Sequence, residues 1–291
     1  MFELRKIGIV KRASALLLDL ILLAVLTTGF MWIISLICHF DREQALLVQY
    51  TNEWEEFREE YFPTIAPFYG FTYEVDEETG EYTLTKPAEN GRDTVPATPN
   101  DVVTKLNSSE GKDPETAEAY EKFLTLPPAA KVDAQRVYVP SLLFMIISIG
   151  LLLAYLVLEF ILPIILKNGQ TVGKKVFGIC LVRPDCVRIT NIALFARTLL
   201  GKFAVETMFP ILLVFLLLLG MLGWLALVLL AALFILNIVL FFATKNRTPI
   251  HDIFASTVAV DMATQVIFDS EEELNAKKAL QHREFIENSK S

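Results

Sequence analysis

The sequence ASALLLDLILLAVLTTGFMWIISLI, at residues 13–37, decides the fold of this 291-residue chain. It carries a single charge, Asp19, and about 20 apolar residues are enough to cross the hydrocarbon core of a bilayer as a helix. The stretch is long for the apolar part of a signal peptide, and no A-x-A cleavage site follows it. It therefore predicts a transmembrane helix that is retained as an anchor.

Two further apolar stretches predict three more transmembrane helices. Residues 140–166 contain one charge, Glu159. Residues 203–243 are twice as long as one crossing requires, because a helix rises about 1.5 Å per residue. We therefore expect the sequence GMLG at 220–223 to turn the chain, and the resulting hairpin either crosses the membrane twice or is re-entrant. The prediction is an all-α, multi-pass membrane protein with four transmembrane helices.

The charges divide the chain into an acidic block within a basic frame. Residues 41–139 contain 9 Lys and Arg against 21 Asp and Glu, whereas the rest of the chain contains 17 against 13. Lys and Arg collect in the short cytoplasmic segments of membrane proteins. The basic segments before residue 13, at 167–202 and after residue 243 should therefore be cytoplasmic, with both termini, and the acidic insertion should lie outside. The net charge of -8 argues against nucleic acid as a partner.

The acidic insertion is predicted to be a small α+β module. Apolar residues recur at helical spacing over 46–61 and predict a helix, and apolar and polar residues alternate at 71–75 and 81–85 and predict two strands of a hairpin. Residues 86–112 are typical of a mobile loop, and a second helix is predicted to begin near residue 113. The acidic surface either only keeps the module soluble or serves for docking or for gathering cations. The whole chain then divides into an N-terminal segment with the first helix (1–40), the insertion (41–139), the second helix (140–166), a basic connection (167–202), a transmembrane hairpin (203–243) and a cytoplasmic C-terminal segment (244–291).

The sequence contains no pattern typical of catalysis or of metal binding. Its three histidines and three cysteines show neither H-E-x-x-H nor C-x-x-C spacing, and no G-x-S-x-G motif occurs. The stretch GQTVGK at 169–174 has one residue too few between its glycines, and no Ser or Thr after its Lys, for a phosphate-binding loop. Residues 179–183 and 187–189 predict a short hairpin after it. We predict no enzyme activity, no catalytic residue, no metal and no cofactor.

Asp19 and Glu159 are acidic residues within apolar spans. A charge near the centre of a bilayer costs about 2.5–3.5 kcal/mol even on a lenient insertion scale, so each acid should be paired, neutralised or functional. The two lie at similar depth and would share a proton or a cation if they face each other. Arg12 is seven residues from Asp19, too far for direct contact along one helix, and we expect it to pair with Asp252 instead. A structural role and a transport role stay open for both acids.

Several spaced motifs resemble the RDD family, which is named for one arginine and two aspartates. Arg12, Asp19 and Asp252 resemble these three residues in order and in their places relative to the spans. The resemblance covers 11–37, 140–202 and about 245–261, and it implies a multi-pass protein of a bacterial plasma membrane. Transport, including cation/proton exchange, has been proposed for members of the family. The further motif residues are Gly169, Gln170, Thr171, Gly173, Lys174 and Gly178 in the cytoplasmic connection, and Arg197 after it.

Two functions follow as expectations. In the first, the protein is a transporter that moves a cation, a proton or a small solute past Asp19 and Glu159. In the second, it is a non-transporting scaffold whose outer insertion binds a protein partner. Four helices are few for an alternating-access carrier, and no internal repeat is evident. In either case we expect a homo-oligomer embedded in the lipid bilayer.

Overall fold

The computed structural model describes residues 4, 7–76, 78–88, 93–167, 169–244 and 248–288, most of which are helical. It divides into two compact units: the membrane unit, Met1–Cys38 with Phe144–Ser291, and the insert unit, His39–Leu143. The helices are α1 (Ile9–Ile37), α2 (Phe40–Phe68), α3 (Pro99–Ser109), α4 (Ala117–Thr125), α5 (Ala129–Leu166), α6 (Val172–Val176), α7 (Asn191–Leu218), α8 (Trp224–Ala243), α9 (Ile250–Phe254) and α10 (Glu271–Asn288). The strands are β1 (Thr72–Val75), β2 (Tyr82–Pro87), β3 (Thr94–Pro96), β4 (Ile179–Val182) and β5 (Val258–Asp261).

Three helices among the described residues, α1, α5 and α7, are long and apolar enough to cross a membrane. α8 is apolar as well, but its apolar run, Trp224–Leu240, is shorter than these three. The turn between α7 and α8 contains Gly220 and Gly223, whose φ angles are +70° and +49°. Such angles favour glycine, so the predicted turn at 220–223 is confirmed. The fourth crossing stays a prediction.

α7 begins at Asn191 rather than at residue 203, where the third span was predicted to start. Thr190 caps it, because the Thr190 Oγ1 accepts a hydrogen bond of 3.2 Å from the backbone N–H of Ala193. The first proline after this cap is Pro210, so no strong helix breaker separates the connection from the span. The basic connection and the third span therefore share one continuous helix.

Two segments of these long helices have π geometry. They are Leu156–Ile161 in α5 and Arg197–Met208 in α7. π-helical turns are rare and are frequently found at functional sites. The first segment contains Glu159 and the second begins at Arg197, and these two side chains contact each other.

A small antiparallel sheet completes the membrane unit. Its strands are β4 and β5, with Ile179 opposite Asp261 and Val182 opposite Val258. The predicted partner of β4 was the segment 187–189, and in the described part of the chain only one bridge, between Val182 and Arg188, forms there. The predicted hairpin is therefore confirmed only as this antiparallel bridge and one hydrogen bond of 2.9 Å from the Arg183 N–H to the Val187 carbonyl, and β5 is the main partner of β4. Every residue of β4 is buried, and β5 supplies the apolar side chains that cover it.

The insert unit is α+β and has its own hydrophobic core. Its sheet has the order β1-β2-β3 and is antiparallel, and Thr72 opposite Thr85 confirms the predicted first hairpin. α2 confirms the predicted amphipathic helix, since its buried residues recur along one side. The buried core residues are Phe57, Phe62, Ile65, Ala66, Phe71, Leu84, Val102, Leu106 and Ala119.

The prediction of a mobile loop over 86–112 is wrong. β3 and α3 both lie within it. α3 starts with a capping box between Thr98 and Asp101, with Pro99 in its first turn, and it buries Val102 and Leu106. The polar composition of the segment concealed this helix start. The next helix, α4, begins at Ala117, close to the predicted start at residue 113.

Candidate functional site

Asp19 binds the short helix α6 and the residue before it. Its carboxylate accepts hydrogen bonds from Thr171 Oγ1 at 2.5 Å and from the backbone N–H of Gly173 at 2.8 Å. Thr171 is also the N-cap of α6, since its Oγ1 accepts from the N–H of Lys174 at 3.3 Å. A Cβ atom on Gly173 would collide with the carbonyl oxygen of Ala15. The absence of a side chain at Gly173 thus allows α6 to approach α1 closely enough to bind Asp19.

The charge of Asp252 is balanced by Arg197, the largest of the fully buried side chains in the described structure. Arg197 Nε donates a hydrogen bond to Asp252 Oδ1 at 2.7 Å, and Thr257 Oγ1 donates to the same oxygen at 3.0 Å. Burial alone would raise the pKa of Asp252, but the charge of Arg197 outweighs it and holds that pKa below its usual range. The predicted pair of Arg12 with Asp252 is wrong, because Arg197 from α7 occupies that position. Arg12 Nη2 instead donates to the carbonyl oxygen of Ala259 at 3.0 Å.

Glu159 is surrounded by cationic side chains. It is 5% exposed and forms ion pairs with Lys202 Nζ, with Arg197 Nη1 at 3.4 Å and with Lys174 Nζ at 3.8 Å. Asp19 has different partners, Thr171 and Gly173. The predicted sharing of a proton or a cation between Asp19 and Glu159 is therefore not supported by the geometry, which assigns each acid its own donors.

Lys174 lies between these two acids. Its Nζ atom is buried and has no hydrogen-bond partner among the described residues, and the Glu159 carboxylate at 3.8 Å is its ion-pair partner. Burial lowers the pKa of Lys174 to about 8, and the charges of Glu159 and Asp19 oppose this fall. The buried charge of Lys174 is thus compensated by a more distant carboxylate than the charges of Arg197 and Lys202 are.

Three further residues of the site were not predicted as such. Lys202 pairs with Glu159, and His251 Nδ1 lies 2.7 Å from Glu206 Oε2. Burial lowers the pKa of His251. The sequence signal available for two of them was their spacing on α7. Lys202 lies five residues after Arg197, and Glu206 lies four residues after Lys202, so the three side chains lie near one face of the helix.

These residues form one buried ionic cluster. Its three cations and three carboxylates balance when the histidine is neutral. In the described ranges, no three His, Cys, Asp or Glu side chains are grouped so that they could hold a metal ion. A protein is strongly destabilised when one partner of a buried ion pair is removed, because the other charge stays buried without compensation. The arrangement can therefore fix the relative positions of α5, α7 and α9. The cluster comprises Glu159, Lys174, Arg197, Lys202, Glu206, His251 and Asp252.

The remaining predicted motif residues shape the connection. Gly169 and Gly178 have φ angles of +61° and +60°, which favour glycine. Gln170 is buried, and its Nε2 donates to the carbonyl oxygen of Ile179 at 2.8 Å, which holds the loop against β4. The sequence also predicts that Asn168 and Gly169 end the second helix, because a residue in the left-handed region commonly terminates a helix, and of these two Asn168 lies outside the described residues.

A family model for the RDD family matches residues 131–256. Residues 131–256 are an RDD family region. This match confirms the resemblance found in the sequence, and with the apolar helices it indicates a membrane protein. The RDD region contains the whole buried ionic cluster, whereas Arg12 and Asp19 in α1 precede it. No curated protein and no solved structure significantly matches the chain.

Proposed function

We propose that this protein is a membrane scaffold in which the buried ionic cluster locks the helices and the insert unit binds a protein partner. The observation that carries the proposal is that Asp19, Glu159, Glu206 and Asp252 are all bound by donors from the protein. A carboxylate that carries an ion across a membrane has to exchange partners. Removing one partner from a buried pair costs about 3–5 kcal/mol, which opposes such exchange.

The insert unit supports the second half of the proposal. A segment that merely links two transmembrane helices needs no core, yet this unit buries nine residues around Phe57 and Phe62. Its net charge is strongly negative, and Glu53, Glu56 and Glu60 recur at intervals of three and four along α2. This spacing places them on one helix face. A partner with a basic surface fits that face, because opposite charges steer association.

The proposed topology has four spans with both termini in the cytoplasm, in a bacterial plasma membrane and as a homo-oligomer. The basic segments support this orientation. α8 has 20 residues and is therefore about 30 Å long, which equals the thickness of the hydrocarbon core.

The topology is tested by labelling single cysteines with a membrane-impermeant maleimide in a variant that lacks Cys38, Cys180 and Cys186. Ser108→Cys in α3 and Met221→Cys in the turn after α7 should react in intact cells. Glu272→Cys in α10 should react only after permeabilisation. Absence of labelling at residue 221 would show that the hairpin does not cross, and equal labelling at residues 108 and 272 would refute the orientation.

The scaffold function is tested by crosslinking in living cells. The double substitution Glu56→Lys and Glu60→Lys reverses two exposed charges on α2 and should abolish the crosslinked partner without changing the thermal midpoint of the protein. Glu272→Lys, an exposed acid on α10, is the matched control and should retain the partner. An unchanged set of crosslinks in the double variant would contradict the proposal.

One observation favours a second candidate function, proton transport. The buried Nζ of Lys174 has a pKa lowered to about 8 and lies next to a helix that contains Glu159, so it is able to exchange a proton near neutral pH. Proton flux into proteoliposomes, followed with an internal pH dye, distinguishes the two candidates. Flux that falls sharply in Lys174→Met but persists in Lys175→Met, the exposed neighbour, would replace the scaffold by a transporter. Absence of flux in the unmodified protein would exclude this candidate.

A further inference from the structure

The insert unit contains a cavity that the scaffold function does not use. Its volume is about 280 Å³, and it is lined by α2, β2, the start of α3 and the first two turns of α5. Small-molecule sites usually have volumes of about 300–1,000 Å³, so the cavity is large enough only for a small ligand. Phe62 and Val132, which are 1% and 4% exposed, and the half-buried Trp54 form the apolar part of its lining.

The two charged residues that α5 contributes to the lining are exposed and unpaired. Asp133 and Arg136 are three residues apart on α5, a spacing at which opposite charges commonly pair. Within the described ranges, however, neither side chain forms an ion pair or a hydrogen bond. Both are therefore available to a ligand without loss of an existing contact.

A second pair of opposite charges lines the cavity from α2. Glu55 and Arg58 have the same spacing of three residues. The guanidinium of Arg58 lies 4.3 Å from the centroid of the Tyr82 ring, a cation–π contact that fixes its orientation. Its Nη2 atom lies 3.9 Å from the exposed carboxylate of Glu59, whereas its Nε atom is buried and lacks a hydrogen-bond partner among the residues that the structure describes.

We infer that this cavity binds a zwitterionic α-amino acid with an apolar side chain. Two guanidiniums and two carboxylates on one lining favour neither anions nor cations, whereas a zwitterion satisfies both signs at once. A guanidinium binds a carboxylate through two parallel hydrogen bonds, so Arg136 donates to the α-carboxylate, and the carboxylate of Asp133 accepts from the α-ammonium. The apolar side chain of the ligand then contacts Trp54, Phe62 and Val132.

Fluorescence of Trp54 in the full chain, reconstituted in lipid nanodiscs, tests the inference directly. The chain has three tryptophans, so the substitutions Trp32→Phe and Trp224→Phe leave Trp54 as the single reporter. L-leucine should change its emission saturably. L-leucinamide, which lacks the carboxylate, and 4-methylpentanoate, which lacks the ammonium, should bind at least tenfold more weakly.

Charge-removing variants locate the site. Arg136→Gln and Asp133→Asn should each weaken leucine binding at least tenfold, and both should fold normally because these side chains have no partners to lose. Arg42→Gln, an exposed arginine of α2 outside the cavity, is the matched control and should bind as the unmodified protein does. No saturable response to leucine, equal binding of the three compounds, or unchanged binding in both variants would each overturn the inference.

Discussion

Asp19 and Gly173 are joined by a hydrogen bond of 2.8 Å from the backbone N–H of Gly173 to the carboxylate of Asp19. This bond ties an acid within the first apolar helix to the connection that follows the second. It gives a hydrogen-bond donor to a carboxylate whose placement in the membrane would otherwise cost about 2.5–3.5 kcal/mol. The bond requires that residue 173 has no side chain.

Gly173→Ala should therefore destabilise the protein. The added methyl group collides with the backbone of Ala15, and overpacking of this kind costs about 1–3 kcal/mol or more. The free energy of unfolding in detergent micelles measures the effect. Gly29→Ala is the control in α1, because no atom lies within 4 Å of its added Cβ and its stability should be unchanged or raised. Equal stability of Gly173→Ala and the unmodified protein would contradict the close approach.

Arg197 and Asp252 should show strong energetic coupling. Either single substitution, Arg197→Leu or Asp252→Leu, leaves a buried charge without its partner and should cost about 3–5 kcal/mol. The double variant should lose clearly less free energy of unfolding than the sum of the two single variants. Each single variant leaves one charge of the pair buried without its partner, whereas the double variant removes both charges. The free energies of unfolding of the four proteins give this coupling.

The surface pair of Arg183 with Glu271 is the matched control for that cycle. Its side chains are 37% and 63% exposed, so each single substitution should change stability by about 0–1 kcal/mol. Additive effects of Arg197→Leu and Asp252→Leu would refute the coupling.

Lys174 should make the stability of the protein depend on pH between about 8 and 10.5. Burial lowers its pKa in the folded protein to about 8 from the usual 10.5, so the unfolded chain binds more protons in this range. Stability then rises with pH wherever the unfolded state binds more protons. Relative to Lys174→Met, the unmodified protein should gain free energy of unfolding as the pH rises from 8 to 10.5. Lys175→Met should retain the slope of the unmodified protein, and identical slopes in both variants would disprove the assignment.

Asp101→Asn should destabilise the insert unit near neutral pH and lose this effect in acid. The backbone N–H of Thr98 and the side chain of Lys86 bind the Asp101 carboxylate and lower its pKa to about 2. Its contribution to stability is complete above the usual pKa of 3.8 and is lost as the pH falls towards 2. The difference in thermal midpoint from the unmodified protein should therefore shrink between pH 4 and 2. Asp113→Asn should show little difference at any pH, and a difference for Asp101→Asn that persists at pH 2 would contradict the capping role.

Local features of the chain were predictable because they depend on neighbouring residues. The length of an apolar run predicted α1, α5 and the helices around Gly220 and Gly223, and alternation predicted the hairpin of β1 and β2. The same logic was available for α3, whose Thr98 and Asp101 form a capping box, but the polar composition of the segment outweighed it.

The sequence by itself determined the apolar helices, the acidic insertion and the RDD family region over residues 131–256, since run length, charge placement and motif order are all properties of the linear chain. Tertiary structure alone decided which charges meet. Asp252 binds Arg197, 55 residues earlier, and Glu159 binds cations from two other segments. Such partners depend on the rotation of each helix about its axis, and the π segments shift that rotation in α5 and α7. No local pattern encodes this rotation, because it is set by the packing of all the helices together.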